Sequence, residues 1–212
     1  MITLTEVFDR LHAVYGKRHW WPAGTPFEMM VGAILTQNTT WTNVEKAIEN
    51  IGEKLSPEFI REVSCEELAG LIRCSGYYNQ KAIKLKALTA WFEKYGFDIR
   101  KAMAEDGEAL RAELLNVKGV GRETADSILT YALEKPFFVV DAYTRRLLYR
   151  LGFDIPTEYD DIRRFIEAGV PRELYIYNEF HALIVCHAKE SCKKAPKCDG
   201  CPIEDICSKH MG

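Results

Sequence analysis

The stretch LLNVKGVGRETADSILTYAL, Leu114–Leu133, decides how this chain is read. An apolar helix end, Leu114 and Leu115, runs into the turn Val117-Lys118-Gly119-Val120-Gly121, and a second amphipathic helix starts near Arg122. Glycines supply backbone shapes that side chains resist, and they let backbone N–H groups approach an anion at a helix N-terminus. Gly119 and Gly121 are therefore placed to hold a phosphate, with Lys118 and Arg122 beside it. On the residues alone, a plain helix–turn–helix connector with glycine caps is the other reading.

Outward from this hairpin the chain keeps the same character. VFDRLHAVY, FEMMVGAIL, TNVEKAIENI, CEELAGLI, AIKLKALTAWFEKY, GEALRAELL, AYTRRLLYRL and LYIYNEFHALIV carry apolar residues at three- and four-residue spacing. Only PFFVV at 136–140 looks strand-like, and five residues cannot make a sheet alone. Pro22, Gly24, Pro26, Gly76, Pro136, Gly152, Pro156 and Pro171 punctuate the helical stretches. There is no repeat, low-complexity tract or long linker. The expected fold class is all-α, two helical domains, with a non-helical cysteine loop at the end.

The 212 residues suffice for one or two domains with a real core. Apolar residues at 47% and charged residues at 28% exclude a disordered chain. No apolar run approaches the roughly 20 residues that span a bilayer, so no membrane association is expected. The N-terminus has charges throughout and no apolar h-region, which points to the cytoplasm. A net charge of −3 excludes a uniformly basic coat protein, so any nucleic-acid role needs a local basic face. Two clusters stand out: Arg73, Lys81, Lys84 and Lys86, within an acid-free stretch from Leu68 to Phe92, and Arg145, Arg146 and Arg150. Each is either a solvated helix face or part of a phosphate-binding surface.

Seven cysteines is an odd number, which argues against a closed disulfide framework. Cys192, Cys198, Cys201 and Cys207 form a C-x5-C-x2-C-x5-C loop near the C-terminus, with Lys193, Lys194 and Lys197 in its first gap. Four thiolates suit a 4Fe–4S cluster or a structural zinc. Cys65, Cys74 and Cys186 fall outside the spacing and are expected in the core.

In its motifs the chain resembles the endonuclease III superfamily of helix–hairpin–helix DNA glycosylases. The hairpin residues Val117–Ala125 match, and Val139-Val140-Asp141-Ala142-Tyr143-Thr144-Arg145-Arg146 follows at the family's distance. Gly76-Tyr77-Tyr78-Asn79-Gln80-Lys81-Ala82 resembles the family's Gly-x-Tyr-Asn-x-Lys-Ala segment. Ile34-Leu35-Thr36-Gln37-Asn38-Thr39-Thr40 resembles the polar segment that inserts into the DNA stack. The family's cysteine loop has one more residue in its first gap.

That resemblance implies a base-excision repair enzyme acting as a monomer on double-stranded DNA with a damaged base, in the cytoplasm and associated with the nucleoid. It implies a 4Fe–4S cluster, structural zinc being the alternative, on Cys192, Cys198, Cys201 and Cys207. Asp141 is the implied catalytic carboxylate, either stabilising the oxocarbenium-like sugar or serving only as a helix N-cap. Glu123 stands at the position of the lysine that gives bifunctional members their strand-cleaving activity. A carboxylate cannot form an imine, so hydrolysis to an abasic site is expected. Gln37, Asn38, Tyr77, Lys118, Gly119, Gly121 and Arg122 are the implied DNA contacts. Trp20-Trp21-Pro22, with the segments around Phe27–Thr39 and Glu123–Asp126, is similar to the 3-methyladenine branch, so Trp20 and Trp21 are candidates for the base pocket. The alternatives are a glycosylase for oxidised pyrimidines or for uracil or thymine in mismatches, with weak strand-cleaving activity, or a non-catalytic DNA-binding protein. Residues 22–130 are expected to form one helical domain, with its hairpin at 114–130. Residues 1–21 and 131–212, ending in the cysteine loop 186–212, form the other. Asp141 is expected at the groove between them.

Overall fold

A computed structural model describes residues 2–210. Among them are twelve α-helices and three short 3-10 turns, and no strand. The chain divides into two compact units, Trp21–Lys135 and Met1–Trp20 with Pro136–Gly212.

In the unit Trp21–Lys135, α2 (Pro26–Leu35) is buried nearly all round, so it is the central helix. Thr25 caps it, its hydroxyl accepting from the Glu28 N–H at 3.1 Å, and Pro26 takes the first helical position. Around α2 pack α3 (Trp41–Ile51), α6 (Tyr78–Glu93) and α9 (Arg122–Tyr131). The short helices α4 (Pro57–Glu62) and α5 (Cys65–Leu71) lie on α6. Beyond α7 (Ile99–Met103), α8 (Gly107–Leu115) packs antiparallel to α9 to form the hairpin. Its two helices are stapled by a buried pair: Arg111 donates from Nε to Asp126 Oδ1 at 2.6 Å and from its terminal nitrogen to Oδ2 at 3.2 Å. A fork on a carboxylate fixes helix register as well as neutralising both charges.

The second unit is built from α1 (Leu4–Tyr15), α10 (Ala142–Leu151), α11 (Tyr159–Gly169) and α12 (Leu174–Glu190). Its core joins Leu4, Val7 and Leu11 of α1 to Leu147 and Leu148 of α10 and Phe180 and Leu183 of α12. The run at 136–140 is irregular rather than a strand. Phe138 and Val140 are buried, and their N–H groups donate to side chains of α11: Phe138 to Glu167 Oε1 at 2.9 Å, Val140 to the Tyr159 hydroxyl at 3.2 Å. Side-chain acceptors replace the sheet ladder, so the backbone is satisfied without a partner strand.

Two expectations need correction. Cys65 is exposed and Cys74 and Cys186 are half-buried, so none belongs to the core. Cys65 opens α5 at its solvent edge, and the Cys186 thiol meets Glu190 Oε1 at 3.4 Å. The basic clusters are mostly neither solvated faces nor open phosphate contacts. Arg150 is buried, donating to the Lys193 carbonyl at 2.6 Å and the Lys194 carbonyl at 3.0 Å, while Arg146 holds the Cys192 carbonyl at 2.9 Å. Lys86 caps carbonyls at the end of α4, including that of Arg61 at 2.8 Å.

Candidate functional site

In the hairpin, α8 ends at Asn116 and the turn closes with the Val120 N–H on the Val117 carbonyl at 3.0 Å. Val120 is buried, which points the turn's apolar side inward and leaves Lys118, Gly119, Gly121 and Arg122 exposed. The two glycines serve different ends. Gly119 sits at φ +86°, and a Cβ there would lie 2.3 Å from the Lys84 stem, so the fold itself demands glycine. Gly121 has ordinary extended backbone, φ −93° and ψ −179°, and a Cβ there would meet nothing within 4 Å. As N-cap of α9 it supplies no side-chain cap, unlike Thr3, Thr25, Ser56, Ser64, Asp98, Asp106 and Asp141 on their own helices. Space is open beside Gly121 at the N-terminus of α9, and helix N-termini favour anions. Glu123 is exposed in the first turn of α9, where an acid suits the helix dipole.

Gln37 is tied to this turn. Its amide nitrogen donates to the Gly119 carbonyl at 3.1 Å and the Thr124 hydroxyl at 3.0 Å, and its oxygen accepts from Lys84 Nζ at 2.6 Å. Asn38, next along, is exposed at φ +55°. Tyr77 is 70% exposed at φ +48°. Non-glycine residues in the left-handed region are uncommon, and strain of this kind gathers at working surfaces. The segments resembling DNA-inserting loops thus each end in an exposed side chain on strained backbone.

Trp20 and Trp21 have different surroundings. Trp20 lies beneath Lys189 Nζ at 5.9 Å from the ring centre. Trp21 packs edge-on to Trp41 at 5.2 Å and against Tyr131 at 5.7 Å, and its indole leaves so little room beside α2 that a Cβ on Gly32 would lie 3.3 Å away. All three rings of this trio are half-buried. Tyr131, at the end of α9, was not legible as a partner from spacing alone.

Asp141 is the N-cap of α10. Its Oδ1 accepts from the Thr144 N–H at 2.7 Å, and its Oδ2 lies 3.5 Å from His181 Nε2 on α12. Burial pushes the carboxyl pKa up, but His181 and the Thr144 contacts outweigh it, and the pKa falls below the ordinary value. The result is an ionised carboxylate on a rigid, partly dry base made by Phe138, Val139 and Val140. His181, mid-helix and buried, carries no motif that sequence reading could use.

Cys192, Cys198, Cys201 and Cys207 line one cavity with Arg150 and His187. Arg150 donates to Cys192 Sγ at 3.3 Å, and Cys201 Sγ lies 3.8 Å from His187 Nε2. Among the described residues, no three His, Cys, Asp or Glu side chains are drawn onto a single metal-ion position. Lys193, Lys194 and Lys197 are exposed on the loop. No helix among the described residues is long and apolar enough to cross a membrane.

Residues 31–172 match the HhH-GPD superfamily of base excision DNA repair proteins. A Methanocaldococcus jannaschii protein named "Putative DNA repair glycosylase MJ1434" is 49% identical over 95% of this chain and 94% of its own length. The Helicobacter pylori 3-methyladenine DNA glycosylase MagIII, solved with 1,N6-ethenoadenine, superposes with a TM-score of 0.79 at 31% identity, covering 89% of this chain and 98% of its own. An endonuclease III in a trapped covalent complex with DNA gives 0.83 at 25% identity, over 99% and 97%. The chain belongs to the HhH-GPD superfamily of base excision DNA repair proteins, within the endonuclease III group of folds.

Proposed function

We propose that this DNA repair glycosylase is monofunctional: it hydrolyses the bond between C1′ and an alkylated purine such as 3-methyladenine, leaving an abasic site. Asp141 carries the reading. One of its oxygens is committed to capping α10 and the other remains beside His181, so an ionised carboxylate is held without a mobile side chain. As the base departs, the sugar gains oxocarbenium character, which Asp141 stabilises while it directs water to C1′. A purine methylated at a ring nitrogen, as in 3-methyladenine, is already cationic in DNA and leaves as a neutral base, so recognition matters more than acid catalysis. Trp21, with Trp41 and Tyr131, offers electron-rich faces for such a cation. Trp20 already has Lys189 over its ring, which favours Trp21 as the stacking residue. The likeness to MagIII supports the same substrate class.

Glu123 in place of the lyase lysine supports water as the nucleophile. The turn at Lys118–Arg122 is the proposed phosphate grip, with Asn38 and Tyr77 entering the space vacated by the flipped base. Gln37 must give up three hydrogen bonds to do the same, so Asn38 is the better plug.

We assign a 4Fe–4S cluster to Cys192, Cys198, Cys201 and Cys207. Four thiolates around one cavity, with a guanidinium donating to one sulfur, form a donor set suited to an anionic cluster. The group would supply structural cross-linking, ordering the loop so that its exposed lysines face DNA. A structural zinc is the second reading, and absorbance near 400 nm with iron analysis separates the two.

Duplexes carrying ethenoadenine, oxidised pyrimidines, or uracil and thymine opposite guanine, together with methylated DNA, test the substrate. Base release from the alkylated purines alone is expected. Preferential release of an oxidised pyrimidine or a mismatched base replaces the substrate assignment, and no release from any duplex with tight binding favours a non-catalytic binder.

A further inference from the structure

Lys81 and Lys84 lie one turn apart on α6, and neither faces solvent freely. Lys81 is 1% exposed. Its ammonium donates to the Leu35 carbonyl at 2.8 Å and the Ser75 carbonyl at 2.6 Å, and no carboxylate accepts from it. A buried cation without a counter-ion is costly. Burial, with Lys84 adding repulsion, lowers its pKa to about 8. An apolar side chain would fill the same space without that cost, so packing alone does not account for lysine here.

The two acceptors show what the charge does. Leu35 ends α2, which has no basic residue in its own last turn, so Lys81 supplies the cation that its C-terminal carbonyls favour. Three residues on is Asn38, exposed at φ +55°. Ser75 lies two residues before Tyr77, exposed at φ +48°, whose carbonyl also accepts from the Lys81 backbone N–H at 3.0 Å. One ammonium therefore joins the roots of both loops. Lys84 extends the same fastening: its head group holds Gln37, whose amide holds Gly119, and its stem fills the space a Cβ on Gly119 would need.

We propose that Lys81 and Lys84 are positioning residues for DNA distortion: Lys81 locks the loop bearing Asn38 to the loop bearing Tyr77, and Lys84, through Gln37, locks the hairpin to the same edge. Neither touches DNA. Holding strained, exposed side chains in place before binding removes the ordering cost that insertion would otherwise carry. This rests on the reading that Asn38 and Tyr77 enter DNA.

The test uses a duplex with a tetrahydrofuran abasic analogue opposite 2-aminopurine, so that no lesion preference enters. Wild-type protein is expected to raise the fluorescence as the opposite base unstacks. Tyr77→Ala is expected to abolish the rise; if the full rise persists, the underlying reading of Tyr77 fails, separately from the proposal. Lys81→Met is expected to keep or raise the melting temperature, weaken binding about tenfold and lose at least two-thirds of the rise. In a background lacking both inserting side chains, Asn38→Ala with Tyr77→Ala, Lys81→Met is expected to add less than twofold, because Lys81 acts through those two loops. Wild-type affinity and fluorescence in Lys81→Met, or an equal loss in both backgrounds, overturns the proposal. If Lys81→Met does not fold, Lys84→Met carries the test: about threefold weaker binding is expected, absent in a Gln37→Ala background. Unchanged binding in Lys84→Met, or the same loss without Gln37, overturns it.

Discussion

Asp141 divides its work between two oxygens, one fixed on the Thr144 N–H and one beside His181. Because its pKa is lowered, the ionised form is favoured in the folded protein, so its contribution is present above the ordinary carboxylate range and is lost as pH falls through the lowered value. The acid limb of the excision rate that belongs to Asp141 is therefore expected below the ordinary carboxylate range, measured under single-turnover conditions. A limb at pH 5 or above that disappears in Asp141→Asn contradicts this. Glu123 yields a complementary test. Glu123→Lys places an amine at the exposed first turn of α9. That variant is expected to gain a borohydride-trappable adduct with abasic DNA at least tenfold above wild type. Single residues were the most legible part of the candidate site, because Asp141 and Glu123 sit in motifs with fixed spacing that mark them as candidates. His181 and Tyr131 were not, since each reaches its partner only through tertiary packing. Sequence alone also left Lys84 undecided between a solvated face and a phosphate contact, and its bond to Gln37 is neither.

At the scale of elements, the hairpin separates folding from binding in two glycines. Gly119→Ala must take φ +86° and displace the Lys84 stem. A loss of about 1–3 kcal/mol is expected, read by chemical denaturation, with weaker DNA binding. Gly121→Ala meets open space on extended backbone, so stability within about 0.5 kcal/mol of wild type is expected. Its affinity for abasic duplex is expected to fall several-fold, because the methyl group takes space the phosphate needs. Equal stability losses in the two variants would contradict this division. Helical elements were legible wherever apolar spacing ran long, as in α2, α6 and α12. The short α4 and α7 were not, because so few turns give periodicity too little length; α11 carries Ile162, Phe165 and Ile166 at helical spacing, but set among charged residues they did not stand out. The run at 136–140 looks strand-like yet makes no sheet, as expected, and for a physical reason: β-branched and aromatic residues bury as well in an irregular segment whose N–H groups find side-chain acceptors.

Across the whole molecule, family membership settles the class of repair protein, while the cofactor and reaction outcome are proposals with direct readouts. Purified protein is expected to absorb near 400 nm and to hold about four irons per chain. Cys198→Ser is expected to lose that absorbance and bind DNA more weakly through disorder of the lysine-bearing loop. Equimolar zinc without iron contradicts the cluster. In the proposed reaction Asp141 directs water to C1′ and no protein amine attacks that carbon. This chemistry is tested most directly by single-turnover reaction on methylated duplex DNA, scoring released base and strand breaks with and without hot alkali. Base release with wild-type Asp141, strand breaks only after alkali, and release at least 100-fold slower in Asp141→Asn with duplex binding intact are expected. Strand cleavage without alkali, or unchanged release in Asp141→Asn, would contradict it.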